Sequence, residues 1–346
     1  MHGHNDRVKL SVLDQSVWVE GRGQDQALRD TLALAQTAEA LGYHRFWVSE
    51  HHGLPTIVGS APEILMAAIA ARTTRIRVGS AGVMLPHYSA LKVAEQFRVL
   101  EALAPGRIDL GVGRAPGSDG RTARALNPSN AGGADDFPNQ VQALQAWTRG
   151  EVLGGIHAHP EPPSGHGNGS GFERVPELWM LGSSDYGAQL AAHLGLPYAF
   201  AYFFMDGQGV EQALALYREL YRPSDRHPKP HATICVWALL ADTDADAQHQ
   251  ALSRDRWRLD RQLGRLGPLR WPDQIAAQGF TEAETAQLAP MRRRAFVGTA
   301  AKVGAQLRAL AAELQLDELV VNTWACDEGV RRLSYQLLAN ELGDAA

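Results

Sequence analysis

Cysteine, charge of one sign and long apolar runs are all scarce in this sequence. Two cysteines, Cys235 and Cys326, stand among 346 residues, too few for a disulfide framework. They read as buried free thiols in a reducing compartment. A formal net charge of −5 gives no electrostatic reason to expect nucleic acid or an anionic membrane as partner. No stretch reaches the roughly 18 uninterrupted apolar residues of a membrane span. The opening residues, MHGHNDRVK, lack the apolar centre of a signal peptide or anchor, so a soluble cytoplasmic protein is expected. No GxGxxG fingerprint for a pyridine nucleotide is visible. Nor does a low-complexity tract or linker divide the chain, which reads as one domain over 1–346.

What is present is the composition of an ordinary globular protein, 45% hydrophobic and 21% charged, with a repeating rhythm. Short apolar runs at Leu10–Leu13, Arg45–Ser49, Ile76–Gly79 and Arg107–Gly113 alternate with amphipathic segments at Asp25–Leu41, Ala61–Arg72 and Ser89–Leu103. Gly42 and Pro105-Gly106 sit where helices stop, and Pro62 where one begins. Consecutive βα units of this pitch imply a parallel sheet with right-handed crossovers, either doubly wound or closed into a barrel. The second half adds helices at Asp135–Thr148, Gln189–Leu194 and Gly209–Tyr221, and strands at Glu177–Leu181, Tyr198–Ala201 and Thr233–Leu240. A final unit covers Glu318–Asn322 and Val330–Leu342. A Gly, Pro, His and Ser-rich loop (about 150–176) and an Arg-rich helical insertion (about 244–294) interrupt the rhythm. Eight strands and about eight helices favour a (β/α)8 TIM barrel with insertions.

Barrel chemistry sits at the C-terminal strand ends. There the sequence places Glu50-His51-His52, Ser80-Ala81-Gly82, Arg114 and Gly182-Ser183-Ser184. Small residues and serines opening a helix make an anion site from unpaired N–H groups, though the same pattern serves plain capping. Arg114 adds a charge-assisted contact or stands in a surface ion pair. Small residues from Gly79 to Gly82 would let a flat ring approach the backbone, and an imidazole beside it could move a proton near neutral pH. His51 and His52 could instead form a core pair or ligate a metal, but no third ligand stands at a convincing spacing. Asp109 reads as structural, paired with an Arg of a neighbouring strand, and Arg292–Arg294 as a solvated helix face. No lysine or carboxylate pair of the kind a barrel lyase or isomerase uses gathers at the strand ends.

The runs FWVSEHHG (46–53), APEILMAAIAARTTRIRVGSAGVMLP (61–86), GRIDLGVGRAPGSD (106–119), LWMLGSSDYGAQLAAHLGLPYAFA (178–201) and FVGTAAKV (296–303) resemble the bacterial-luciferase-like flavin monooxygenases. The subgroup they most resemble is often labelled natural-product or alkanal monooxygenase-like. The resemblance implies a barrel that binds reduced FMN, or in some branches F420, and oxidises a small organic substrate with O2, FMNH2 coming from a separate flavin reductase. It places His51 at the reactive edge of the flavin, Ser80, Ala81 and Gly82 beneath the ring with a cis peptide at Ala81-Gly82, and Arg114, Gly182, Ser183 and Ser184 on the phosphate. It also implies a homodimer. Trp18, His87, Tyr88, Tyr202 and Phe203 are expected to wall the substrate pocket. Two places depart from the family pattern: Tyr186-Gly187 replaces a small hydroxyl residue, and Pro86-His87-Tyr88 replaces Pro-Asn-His. An F420-dependent hydride-transfer enzyme of the same fold and a non-catalytic flavin-binding protein are the alternatives.

Overall fold

The computed structural model describes residues 8–115, 118–128, 136–163 and 174–343. Asp135, the expected start of a helix, and residues 164–173 of the expected loop lie outside them. Nine parallel strands run in chain order: β1 (Lys9–Asp14), β2 (Arg45–Val48), β3 (Arg77–Met84), β4 (Ile108–Gly113), β5 (Glu177–Gly182), β6 (Tyr198–Phe200), β7 (Ala232–Leu240), β8 (Phe296–Gly298) and β9 (Glu318–Asn322). β1 to β7 pair in succession, β7 pairs β9, and β9 returns to β1, so eight strands close into a barrel. These are the eight strands expected from the sequence. β8 is the addition. It lies beside the far end of β7, with Ala238 opposite Phe296, and at three residues it is too short to show a period.

Twelve helices are described: α1 (Gln24–Ala40), α2 (Pro62–Ala70), α3 (Ala90–Leu103), α4 (Gly120–Leu126), α5 (Phe137–Thr148), α6 (Asp185–Leu194), α7 (Val210–Glu219), α8 (Asp244–Gln262), α9 (Pro272–Gln278), α10 (Glu282–Arg293), α11 (Ala300–Glu313) and α12 (Glu328–Leu342). The Arg-rich insertion is therefore three helices, α8 to α10, standing with β8 and α11 between β7 and β9. None is long and apolar enough to cross a membrane. The inward face of α1 is centred on small residues, with Ala35 and Leu34 at its middle. Ala27, Thr31, Leu34 and Ala38 are buried, while Leu28 and Leu32 are partly covered. Small side chains there let the helix lie close against the strands. On α3, Val93, Phe97 and Leu100, spaced along one face, are all buried.

The N-terminal end of the barrel is closed by charge. Arg45 at the start of β2 reaches Asp109 of β4 (3.0 Å), Glu177 of β5 (2.7 Å) and Glu318 of β9 (3.0 Å). Arg77 joins Asp109 from β3, and the Ser11 hydroxyl donates to Glu318. Asp109 is thus structural, as expected. Burial raises the Glu318 carboxyl, but Arg45, His231 and Ser11 together hold it down at about 2; Glu177 is likewise held well below the usual carboxylate range. A carboxylate with a depressed folded value contributes stability that is complete above the unfolded value of about 4.3 and is lost as pH falls.

Arg45→Met leaves buried Asp109 and Glu318 and half-buried Glu177 under-compensated and should cost about 3–5 kcal/mol, read by urea unfolding at neutral pH. In the wild type, the unfolding free energy should fall as pH drops from about 4.3 towards 2, and Glu318→Gln should flatten that slope. An unchanged slope in Glu318→Gln would show that the network does not titrate with folding.

Candidate active site at the C-terminal strand ends

Two tryptophans separate the charge network from the open part of the lumen. Trp47 of β2 and Trp179 of β5 meet edge to face at 5.2 Å. Each is pinned downward by its indole N–H, to Asp109 at 2.9 Å and Glu177 at 3.1 Å. Gly79 makes room for the Trp47 ring: a Cβ there would lie 2.5 Å from it. Above this floor lies a cavity of about 270 Å³ whose lower walls are Leu13, Trp47, Ala199, Cys235 and Val320. Cys235 and Cys326 are buried free thiols, as expected.

One wall of the cavity carries almost no side chains. Within β3 the Ala81-Gly82 peptide is cis. The register against β4 slips there, from Ser80 opposite Leu110 to Val83 opposite Val112, so β3 carries one residue more than its partner. Close backbone approach makes this possible. A Cβ on Gly82 would lie 2.9 Å from the Gly111 carbonyl oxygen, and one on Gly111 would collide with the Ser80 carbonyl. Ala81, Gly82 and Gly113 line the cavity. Ser80 does not; its buried hydroxyl donates to the Gly111 carbonyl at 2.9 Å and ties β3 to β4.

His51 follows β2 and borders the same cavity. Its backbone N–H donates to the Gly59 carbonyl at 2.9 Å, and its Nδ1 lies 3.2 Å from the Ser49 hydroxyl. Burial, then the neighbouring His52 and Arg261, push its imidazole down to about 4. It is therefore neutral at physiological pH. His52 is held elsewhere. Buried Glu50 takes His52 Nε2 at 2.6 Å, the Tyr88 hydroxyl at 2.6 Å and the Met84 backbone N–H at 3.0 Å. That carboxylate clamps the segments after β2 and β3 together, a role the sequence reading did not give it.

Two strands from the cis peptide, β5 runs into α6. Ser184 is the N-cap residue but makes no side-chain cap bond, so the capping reading of Gly-Ser-Ser fails. Gly182, Ser183, Ser184 and Arg114 all line the cavity. The Arg114 guanidinium lies 3.9 Å over the Tyr186 ring. The residue that departs from the family pattern thus supplies a cation–π platform for the arginine.

The chain is similar to known proteins along nearly its whole length. The family model of the luciferase-like monooxygenases matches residues 9–318. The chain belongs to the luciferase-like monooxygenase family. It is 40% identical over 330 residues to a luciferase-like monooxygenase of Escherichia coli (95% of this chain, 96% of the relative). It is 36% identical over 343 residues to the N-acetyl-S-alkylcysteine monooxygenase of Bacillus subtilis (96% and 98%). Among solved structures, apo-MsnO8 superposes with a TM-score of 0.86 at 36% identity, over 96% of this chain and 98% of that one.

In this family member the expected pocket walls need correction. Of the five residues, Phe203 lines the cavity. Trp18 instead donates its indole N–H to the Arg22 carbonyl at 2.7 Å. His87 and Tyr88 pack with His52 under the Glu50 clamp, and Tyr202 turns outward against Phe296. Each lies just past a strand end, where the direction of the side chain depends on the loop that follows. The sequence reading missed Gln15, Phe204 and Met84 as wall residues; nothing local marks them.

Two glycines, Gly111 behind the β3–β4 wall and Gly187 in α6, should respond oppositely to alanine. Gly111→Ala should destabilise the barrel and open the β3–β4 wall. At Gly187, within α6, an added Cβ meets nothing closer than 3.5 Å. Gly187→Ala should therefore stabilise by about 0.5–1 kcal/mol. Thermal melts of the two variants against wild type test the pair, and a reversed order would sink the packing argument.

Proposed function

We propose that this protein is a flavin-dependent monooxygenase that uses reduced FMN and dioxygen to oxidise a small organic substrate. The observation that carries the reading is the polarity of one cavity. A flat, side-chain-poor wall at Ala81-Gly82 beside His51 faces, at the far end, an anion site made of Arg114, Ser183, Ser184 and the uncapped start of α6. That donor set suits a phosphate at the end of a planar ring system. The bound flavin supplies the electrons that activate dioxygen, one oxygen atom going to the substrate and the other to water.

The residues have distinct tasks. Arg114, steadied by the Tyr186 ring, carries the charge for the phosphate, and the serine hydroxyls and α6 N–H groups complete its shell. The bare backbone of Ala81 and Gly82 admits the ring, while Trp47 and Leu13 form its floor. His51 is neutral and has Nδ1 engaged by Ser49, which leaves Nε2 to hold or pass a proton at the reacting edge. Phe203 and Phe204, shared with the outer part of the cavity, keep bulk water from that edge. In this reading reduced flavin comes from a separate reductase, and the enzyme is a cytoplasmic homodimer. Sedimentation would check the dimer.

Anaerobic titration with reduced FMN and reduced F420, followed by admission of air, tests the cofactor. Tight FMNH2 binding with oxygen-dependent product supports the reading; binding of F420 alone would make the enzyme a hydride-transfer oxidoreductase. Arg114→Met should weaken FMN about ten- to hundred-fold and leave riboflavin, which lacks the phosphate, unchanged. His51→Ala should still bind flavin but lose about 100-fold in turnover, and wild-type turnover would remove His51 from the mechanism.

A further inference from the structure

The Arg-rich helix α8 has no part in the flavin reading, yet it forms one side of a second cavity. Arg254, Arg258 and Arg261 stand at i, i+4 and i+7, one face of the helix. All three border a chamber of about 860 Å³ that shares Gln15, His51, Ser183, Phe203 and Phe204 with the inner cavity. Arg258 is answered by Asp206, at 2.6 and 3.1 Å. Arg254 has no direct ion-pair partner among the described residues; Asp206 and Asp255 act on it only through space. It is 8% exposed, its guanidinium lies 4.1 Å over the Trp237 ring, and among the described residues it makes no ion pair and no hydrogen bond.

A buried guanidinium without a counter-ion is costly, and burial, with Arg258 next to it, pushes this one down to about 9. Two further buried groups on the same wall lack partners. They are the Nε1 donor of Trp237, 4% exposed, and the Oδ1 acceptor of Asn322, 1% exposed. The Asn322 amide nitrogen is already used, donating to Gln15 at 2.6 Å. The same lining includes an apolar set, Leu54, Ile57, Trp257, Met291 and Trp324. Such a wall calls for an anion at Arg254, a donor group at Asn322 and an apolar body between them. A planar, singly charged carboxylate matches one guanidinium and one indole N–H better than a phosphate does. The phosphate-type donors belong to the start of α6, where Ser183 borders both cavities.

We propose that the outer cavity is the substrate site and that it selects small organic carboxylates. Arg254 and Trp237 Nε1 take the carboxylate, Asn322 Oδ1 accepts a substrate N–H or O–H, and the apolar body reaches towards His51. The proposal rests on the flavin reading only in that it leaves the inner cavity to the cofactor.

The test titrates the full-length protein, with and without oxidised FMN, using 4-phenylbutyrate, neutral 4-phenylbutanamide and inorganic phosphate. Calorimetry and tryptophan fluorescence report binding. The acid should bind about ten- to hundred-fold more tightly than the amide. Arg254→Met should erase that preference while FMN affinity stays at the wild-type value. Trp237→Phe, which keeps a ring beneath the guanidinium, should weaken the acid about three-fold or more. Equal binding of acid and amide to the wild type, binding of neither, or a preference that survives in Arg254→Met overturns the proposal. Phosphate that displaces the acid and depends on Arg254 would overturn the carboxylate assignment. The wild-type comparison and Trp237→Phe hold if Arg254→Met fails to fold. Loss of FMN binding in the wild type would strike the flavin reading alone.

Discussion

The buried guanidinium of Arg45 is the contact on which the rest of this barrel depends. It is shared by carboxylates from β4, β5 and β9, and Arg77 bridges the first two again. An ion held this deeply is tolerated only when its partners are all in place, so the network favours one register among the strands rather than several. The same carboxylates also serve the layer above. Asp109 and Glu177 take the indole N–H groups of Trp47 and Trp179, and the position of those rings sets the depth of the cavity.

Above the tryptophans the architecture changes from side chains to backbone. Gly79, Gly82 and Gly111 remove the Cβ atoms that would keep β3 away from Trp47 and β4. The extra residue in β3 is absorbed by the cis peptide and the slipped register. The Glu50 clamp then fixes the exit of β3 by holding the Met84 backbone and Tyr88. A smooth wall is thus produced by two opposite devices, close strand approach below and a buried carboxylate above.

The two ends of the barrel are electrostatically opposite. At the N-terminal end, arginines and carboxylates neutralise one another. At the C-terminal end, positive groups are left facing open space: Arg114 on its tyrosine platform, the uncapped α6 terminus and Arg254 on its tryptophan. Aromatic faces hold both arginines in place without neutralising them, which keeps their charge available to a ligand.

Much of this was legible in the chain itself. The eight barrel strands, the βα pitch and the Arg–Asp109 pairing follow from local periodicity and from charge placed inside apolar runs. The run of small residues from Gly79 to Gly82 marks where something flat could lie. The resemblance of long ordered segments gave the family. The pocket walls were not legible, because Trp18, His87, Tyr88 and Tyr202 leave their strand ends in directions fixed by partners far away in sequence. The neutral state of His51 depends on burial by residues it does not adjoin, and α1 buries its alanines because the barrel surface beneath it demands close approach. The sequence by itself determined the periodic elements and the family, since both are properties of short segments read in order. Only the tertiary structure decided which polar groups face the cavity unpaired, because a counter-ion such as Asp206 for Arg258, and its lack at Arg254, arises between elements that the chain order keeps apart.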